Sequence, residues 1–211
     1  MFQRLVFVAS FSLLTVFSLC AQEYKYEPIP AAPAGLPAAY TAVIQTQGAR
    51  VTGPGGPWCE IWPVKTLAAG TSTDASIVFG LPQGTLVGVL RFPAKGADRR
   101  GQVIPAGLYT MRYSLFPVDG AHSGVAPQRD FVLLTPIAAD ANPAAKPSFE
   151  ELVQSSQKAS GTPHPAVFSI ETPPAGAATP SVVKEGEHDW VLTMKAGSVT
   201  ISVITVGKVE G

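Results

Sequence analysis

The chain has 211 residues with 15 basic and 15 acidic side chains, and only 14% of its residues are charged. This balance leaves no basic stripe for nucleic acid and no polybasic patch for a membrane surface. Twenty glycines and twenty prolines, dispersed without a period, exclude a collagen-like chain and argue against a helical bundle.

The N-terminus reads MFQRLVFVASFSLLTVFSLCAQ. Arg4 is a short basic region, and residues 5–19 form an apolar run interrupted only by small residues. That run is shorter than the roughly 20 residues of a membrane helix and fits a secretory signal peptide. Residues 1–21 are therefore expected to be removed, with cleavage after Cys20 or Ala21. A lipid anchor on Cys20 requires a small residue before it, and Leu19 stands there. Either cut leaves Cys59 as the sole cysteine, so the mature chain is expected to rely on burial and not on a disulfide. The expected location is periplasmic, extracellular or cell-surface, with no membrane span in the mature chain.

Residues 22–38 (QEYKYEPIPAAPAGLPA) read as an extended leader, which leaves residues 39–211 as one domain. Residues 40–47 (YTAVIQTQ) alternate weakly and predict a first strand. Turn residues 53–57 then precede an aromatic strand over 58–64, where Pro63 suggests an edge or a bulge. The stretch ASIVFGLPQGTLVGVLRFPA predicts two strands about the turn at 81–84. The second, 85–92, is apolar on both faces. Residues 108–116 (LYTMRYSLF) show the clearest alternation, and RDFVLLTPI predicts another strand over 129–137. Ser148 followed by Glu151 is a capping box for a helix over 149–159, ended by Gly161. A strand in PAVFSIET, a Pro/Ala/Gly loop and a closing hairpin, HDWVLTMK with SVTISVITV, complete the chain.

Eight to ten short strands with one helix near 149–159 predict an all-β fold. The expected form is a single β-sandwich, Ig-like or transthyretin-like, or a jelly roll.

No GxSxG, HExxH, P-loop, CxxC or calcium-loop motif is present. The chemistry-bearing residues cluster in the loop VDGAHSGVAPQRD. It holds Asp119, His122, Arg129 and Asp130, while His164 stands in GTPHPAV. These five are the candidate ligand-binding residues. Asp119, His122 and His164 form a candidate divalent-metal set, since such a site needs three or four converging N, O or S donors. Arg129 is also suited to pair with Asp119 and pin the loop. Cys59 reads as a small hydrophobe, and Trp58, Trp62 and Trp190 read as core aromatics, or as a sugar platform if exposed.

The segments IPAGLYTMRY, DGAHSG, RDFVLL and SGTPHPAV resemble those of a group of uncharacterised secreted bacterial proteins over residues 84–170. The resemblance singles out Asp119, His122, Gly124, Arg129, Asp130 and His164 and implies no known activity. IPAGLYTMRY is also similar to the PxGxY strand of transthyretin-like and other Ig-like extracellular sandwiches. The function expected from these readings is an exported, non-catalytic binding module that meets a ligand or partner in the cell envelope through its end loops. The alternatives are a metal-dependent hydrolase using His122, His164 and Asp119, and a purely structural envelope protein. No resident cofactor is expected outside that metal reading.

Overall fold

The computed structural model describes residues 23–118 and 128–208. The chain is mostly β. Its strands are β1 (Lys25–Ile29), β2 (Gly48–Gly53), β3 (Gly56–Pro63), β4 (Leu86–Phe92), β5 (Gly96–Ala97), β6 (Val103–Ile104), β7 (Gly107–Leu115), β8 (Asp130–Pro136), β9 (Val167–Glu171), β10 (Ser181–Glu185), β11 (Asp189–Ala196) and β12 (Val199–Val206). Two α-helices, α1 (Ala38–Val43) and α2 (Phe149–Ser160), lie between them.

Ten strands form one antiparallel sheet in the order β1-β2-β3-β4-β7-β8-β9-β12-β11-β10, and β5 with β6 makes a separate two-residue pair. The terminal strands β1 and β10 approach each other, so the sheet is nearly closed into a barrel. At this seam the rings of Tyr24 and Trp190 meet at 5.4 Å. The barrel interior is filled by alternating side chains, among them Ile61, Leu90, Tyr109, Met111, Tyr113, Phe168 and Val203. β4 is buried on both faces except at Arg91, as its nearly continuous apolar run predicts.

The helix over 149–159 is present as α2. Ser148 Oγ accepts from the Glu151 amide at 3.2 Å, and Glu151 Oε2 accepts from the Ser148 amide at 2.8 Å. Gly161 ends the helix in the left-handed region, at φ 65°. Leu152 packs on Phe131 and Leu133, which places α2 across β8.

Five local expectations change. Residues 40–47 do not begin as a strand: 38–43 are helical, because Tyr40 and Ile44 stand four apart and both bury fully against the core. The stretch read as a leader supplies β1, whose register with β2 runs from Lys25↔Thr52 to Ile29↔Gly48. Residues 75–80 form no strand; their backbone is held by the Asp130 side chain and the Arg129 amide, as described below. Pro63 ends β3, which lies inside the sheet between β2 and β4. β10 adds a strand before the closing hairpin.

The register sorts the connections by end. β7 finishes where β8 begins, with Leu115 opposite Asp130. β4 and β12 start at that end, and β3 and β9 finish there. Residues 30–47, 64–85 and 172–180, with the described residues 116–118 and 128–129, therefore lie between strands at one end, called here the upper end. Residues 93–106 connect strands at the opposite end. Residues 137–166 leave β8 there as well and pack outside the sheet.

Candidate functional site

Arg129 and Asp130 lie together at the upper end, at the start of β8. Asp130 is fully buried. Its Oδ2 accepts from the Val78 amide at 2.7 Å. Its Oδ1 accepts from the Phe79 amide at 3.0 Å and from the Tyr113 hydroxyl at 2.7 Å. Burial, and then this bond to Asp130, raises the Tyr113 pKa well above the ordinary phenol range, so the hydroxyl is a fixed donor. A carboxylate that receives three donors is well solvated by the protein and has little capacity left for a ligand.

The Arg129 side chain turns to the same loop. Its Nη1 meets Asp74 Oδ2 at 2.9 Å, its Nε donates to the Phe116 carbonyl at 3.0 Å, and its amide donates to the Ser76 carbonyl at 2.8 Å. Asp74 in turn accepts from the Ser76 hydroxyl and amide, and these bonds together with Arg129 hold its carboxyl below the usual range. The described acidic partner of Arg129 is thus Asp74. The expected partner, Asp119, lies outside the described residues, as do His122 and Gly124. Arg129 and Asp130 together clamp residues 74–79 onto the barrel end, which removes that stretch from the sheet.

His164 is placed at the opposite end. The Leu134 amide donates to the Ala166 carbonyl at 3.0 Å, so the chain enters β9 near the lower end of β8. The His164 side chain is exposed, and its backbone is what the surrounding motif holds. Its carbonyl accepts from Ser160 Oγ at 2.6 Å and Thr162 Oγ1 at 3.0 Å, and its amide donates to Thr162 Oγ1 at 3.0 Å. Thr162 continues to Gln102 Oε1 at 2.5 Å. Gln102 and Arg100 converge on the carboxylate of buried Asp98, which also accepts both of their amides. The SGTPHP segment is therefore a backbone clamp between α2 and the 98–102 turn. Among the described residues, no three His, Cys, Asp or Glu side chains gather as a metal would need.

Cys59 is fully buried. Desolvation, then the charge of Glu60, raises its thiol pKa far above the ordinary range, so it is a small hydrophobe without thiolate character. Trp62 is buried and donates to the Ala31 carbonyl at 2.9 Å. Trp58 donates to the Thr205 carbonyl at 2.8 Å, across the barrel interior, and stands edge-on to Phe92. The three tryptophans belong to the core and its seam, not to a sugar platform.

The most connected polar residue was not among those singled out from the sequence. Arg112, on β7, is fully buried beneath residues 140–145. It forms a fork with Asp140, Nε to Oδ2 at 2.6 Å and Nη2 to Oδ1 at 2.9 Å. Nη1 donates to the carbonyls of Gly84 and Ala145, and Nη2 to that of Asn142, each at 2.8 Å. All five N–H donors of the guanidinium are used. Burial pushes the Asp140 carboxyl up, but hydrogen bonds from Arg112, Thr110 and Tyr40 and the Arg112 charge outweigh it and hold the pKa low. The signal in the sequence was an arginine between Thr110 and Ser114 on the polar face of the alternating strand LYTMRYSLF.

Two clefts flank this strap of chain, and both are lined by Lys146. One, of about 400 Å³, lies toward α2 and includes Asn142, Glu151 and Ser155. The other, of about 380 Å³, lies at the upper end between α1, the start of the 64–85 connection and Pro143.

Comparison with protein families, with curated proteins and with solved structures gives no match. No helix among the described residues is long and apolar enough to cross a membrane. Fold and geometry define a mostly β protein in which the buried charges of Asp98, Arg112 and Asp130 hold its own connections, while Glu60 pairs across strands with Arg50 and Arg91.

Proposed function

We propose that this chain is an exported, non-catalytic β-sandwich protein that binds a ligand or partner in the cell envelope through the connections at its upper end. One observation carries the reading. Two buried ionic side chains hold the backbone of the 64–85 connection at that end: Asp130 holds 78–79 and Arg112 holds 84. Such an arrangement presents loops in defined positions on a rigid scaffold, as loop-based recognition requires. Export rests on the signal-like residues 1–21.

The sandwich description is part of the proposal. β9 is short and meets β12 through only two register pairs, Ser202↔Glu171 and Val203↔Ile170. It is a natural corner between a face of β1-β2-β3-β4-β7-β8 and a face of β12-β11-β10, with both faces packed on one core.

The test expresses the full sequence in a bacterial host. N-terminal sequencing of the envelope fraction should find a chain that starts at Ala21 or Gln22; a chain still starting at Met1 in the cytoplasm overturns export. The purified exported chain is then sedimented with peptidoglycan sacculi and with envelope membranes. A variant in which 119–127 is replaced by a short Gly-Ser linker is run beside it. Co-sedimentation lost in the variant, at equal melting temperature, supports the reading. Equal sedimentation of both, or of neither, removes it.

A further inference from the structure

The cleft beside α1 is lined by two lysines and by no acidic residue. Every described arginine is ion-paired: Arg50 and Arg91 with Glu60, Arg99 with Asp189, Arg100 with Asp98, Arg112 with Asp140 and Arg129 with Asp74. Lys65 and Lys146 are not paired in this way, and both line the same cleft. Their ammonium groups are located by neutral oxygens that also belong to its wall. Lys65 Nζ donates to the Ala42 carbonyl at 2.7 Å, and Lys146 Nζ to Thr85 Oγ1 at 2.9 Å. Neither has a carboxylate partner among the described residues, and none of the residues lining the cleft is acidic.

The rest of the wall is largely apolar: Val43, Val64, Leu86, Pro143 and Ala144. The volume, about 380 Å³, falls within the roughly 300–1,000 Å³ of small-molecule sites. Two cations without counter-ions above an apolar floor match a molecule with one anionic head and a short apolar body. Partial burial of its ammonium, and then the nearby charge of Arg112, lowers the Lys146 pKa.

We infer that this cleft binds a small amphiphilic organic anion, with its carboxylate or phosphate head between Lys65 and Lys146 and its apolar part on Val43, Val64 and Leu86. The inference rests on the proposed binding role and names the chemistry of one upper-end subsite.

The probe is octanoate, titrated calorimetrically into the exported chain at low salt, with octanol as the neutral control of equal length. Wild type should bind octanoate and not octanol. Lys65→Met and Lys146→Met should each weaken binding roughly tenfold or more, since each removes a charge-assisted contact. Both lysines are exposed, so the variants should melt with wild type. Octyl phosphate in place of octanoate distinguishes a phosphate head from a carboxylate. Absent binding, equal binding of octanol, or unchanged affinity in both variants overturns the inference. If loop-dependent sedimentation persists while octanoate fails to bind, only this inference falls. If octanoate binds in the lysine-dependent manner while sedimentation is insensitive to 119–127, the loop-based reading falls instead.

Discussion

Arg112 and Asp130 stand on neighbouring strands, both fully buried, and each fastens a length of chain to the barrel by opposite means. Arg112 has a counter-ion, and its remaining donors go to three carbonyls of the strap and the preceding turn. The described partners of Asp130 are neutral donors: two amides of the 74–79 loop and the Tyr113 hydroxyl. A buried charge can thus be made tolerable by an opposite charge or by dipoles alone. The two solutions differ in what remains when one member is removed. Loss of Arg112 strands a carboxylate and several carbonyls, whereas loss of Asp130 strands only neutral groups.

That difference can be broken at several levels. Arg112→Met should have the largest effect, roughly 3–5 kcal/mol of lost stability, because it leaves Asp140 charged and without its buried partner. Urea denaturation measures it; a loss below about 1 kcal/mol would mean that the strap simply lifts into water. Asp130→Ala should cost about 2–3 kcal/mol, the range for unmaking bonds to a charged acceptor. Amide exchange should show faster opening at Val78 and Phe79 and little change at Asn142 and Ala145. Equal acceleration in both segments would refute the separation of the two anchors.

Acid sharpens the same contrast. The Asp140 carboxyl titrates below its unfolded value, so its contribution is complete above about pH 4 and is lost as pH falls through the folded value. Asp140→Asn should therefore flatten the pH dependence of stability below about pH 4, although it lowers stability at neutral pH. A parallel, unflattened profile would assign the acid transition elsewhere. Tyr113→Phe should remove about 1 kcal/mol, one neutral donor among three. Arg129→Ala should change stability by less than about 1 kcal/mol, since its pairing with Asp74 is partly exposed. A larger loss would show that the clamp on 74–79 depends on the surface pair as much as on Asp130.

The same contrast explains what could be read in the residues beforehand. α2 was legible to its boundaries because a capping box and a C-terminal glycine act within a few residues of the chain. β4, β7, β8 and the final hairpin were legible because alternation and turn residues are also local. The strand assigned to 40–47 failed because Tyr40 and Ile44 satisfy a helical spacing as well as an apolar count. The β1 segment was missed because Pro and Ala composition says nothing about pairing with a distant strand. Within the candidate site, RDF was singled out for its charges, yet the roles of Arg129 and Asp130 depend on Asp74, Val78 and Phe79, more than fifty positions away.

Composition, local periodicity and capping chemistry were sufficient to define a mostly β chain, the amphipathic helix α2, an apolar N-terminal segment and a buried, unreactive cysteine. These are properties of neighbours within a few residues, where spacing alone decides which groups meet. Only the tertiary structure decided that ten strands join in one nearly closed sheet, that His164 lies at the end away from Arg129 and Asp130, that Arg112 is a buried hub, and that Lys65 and Lys146 share a cleft. Each of these joins residues far apart in the chain, and burial of one continuous core, not any local preference, sets which distant groups become neighbours.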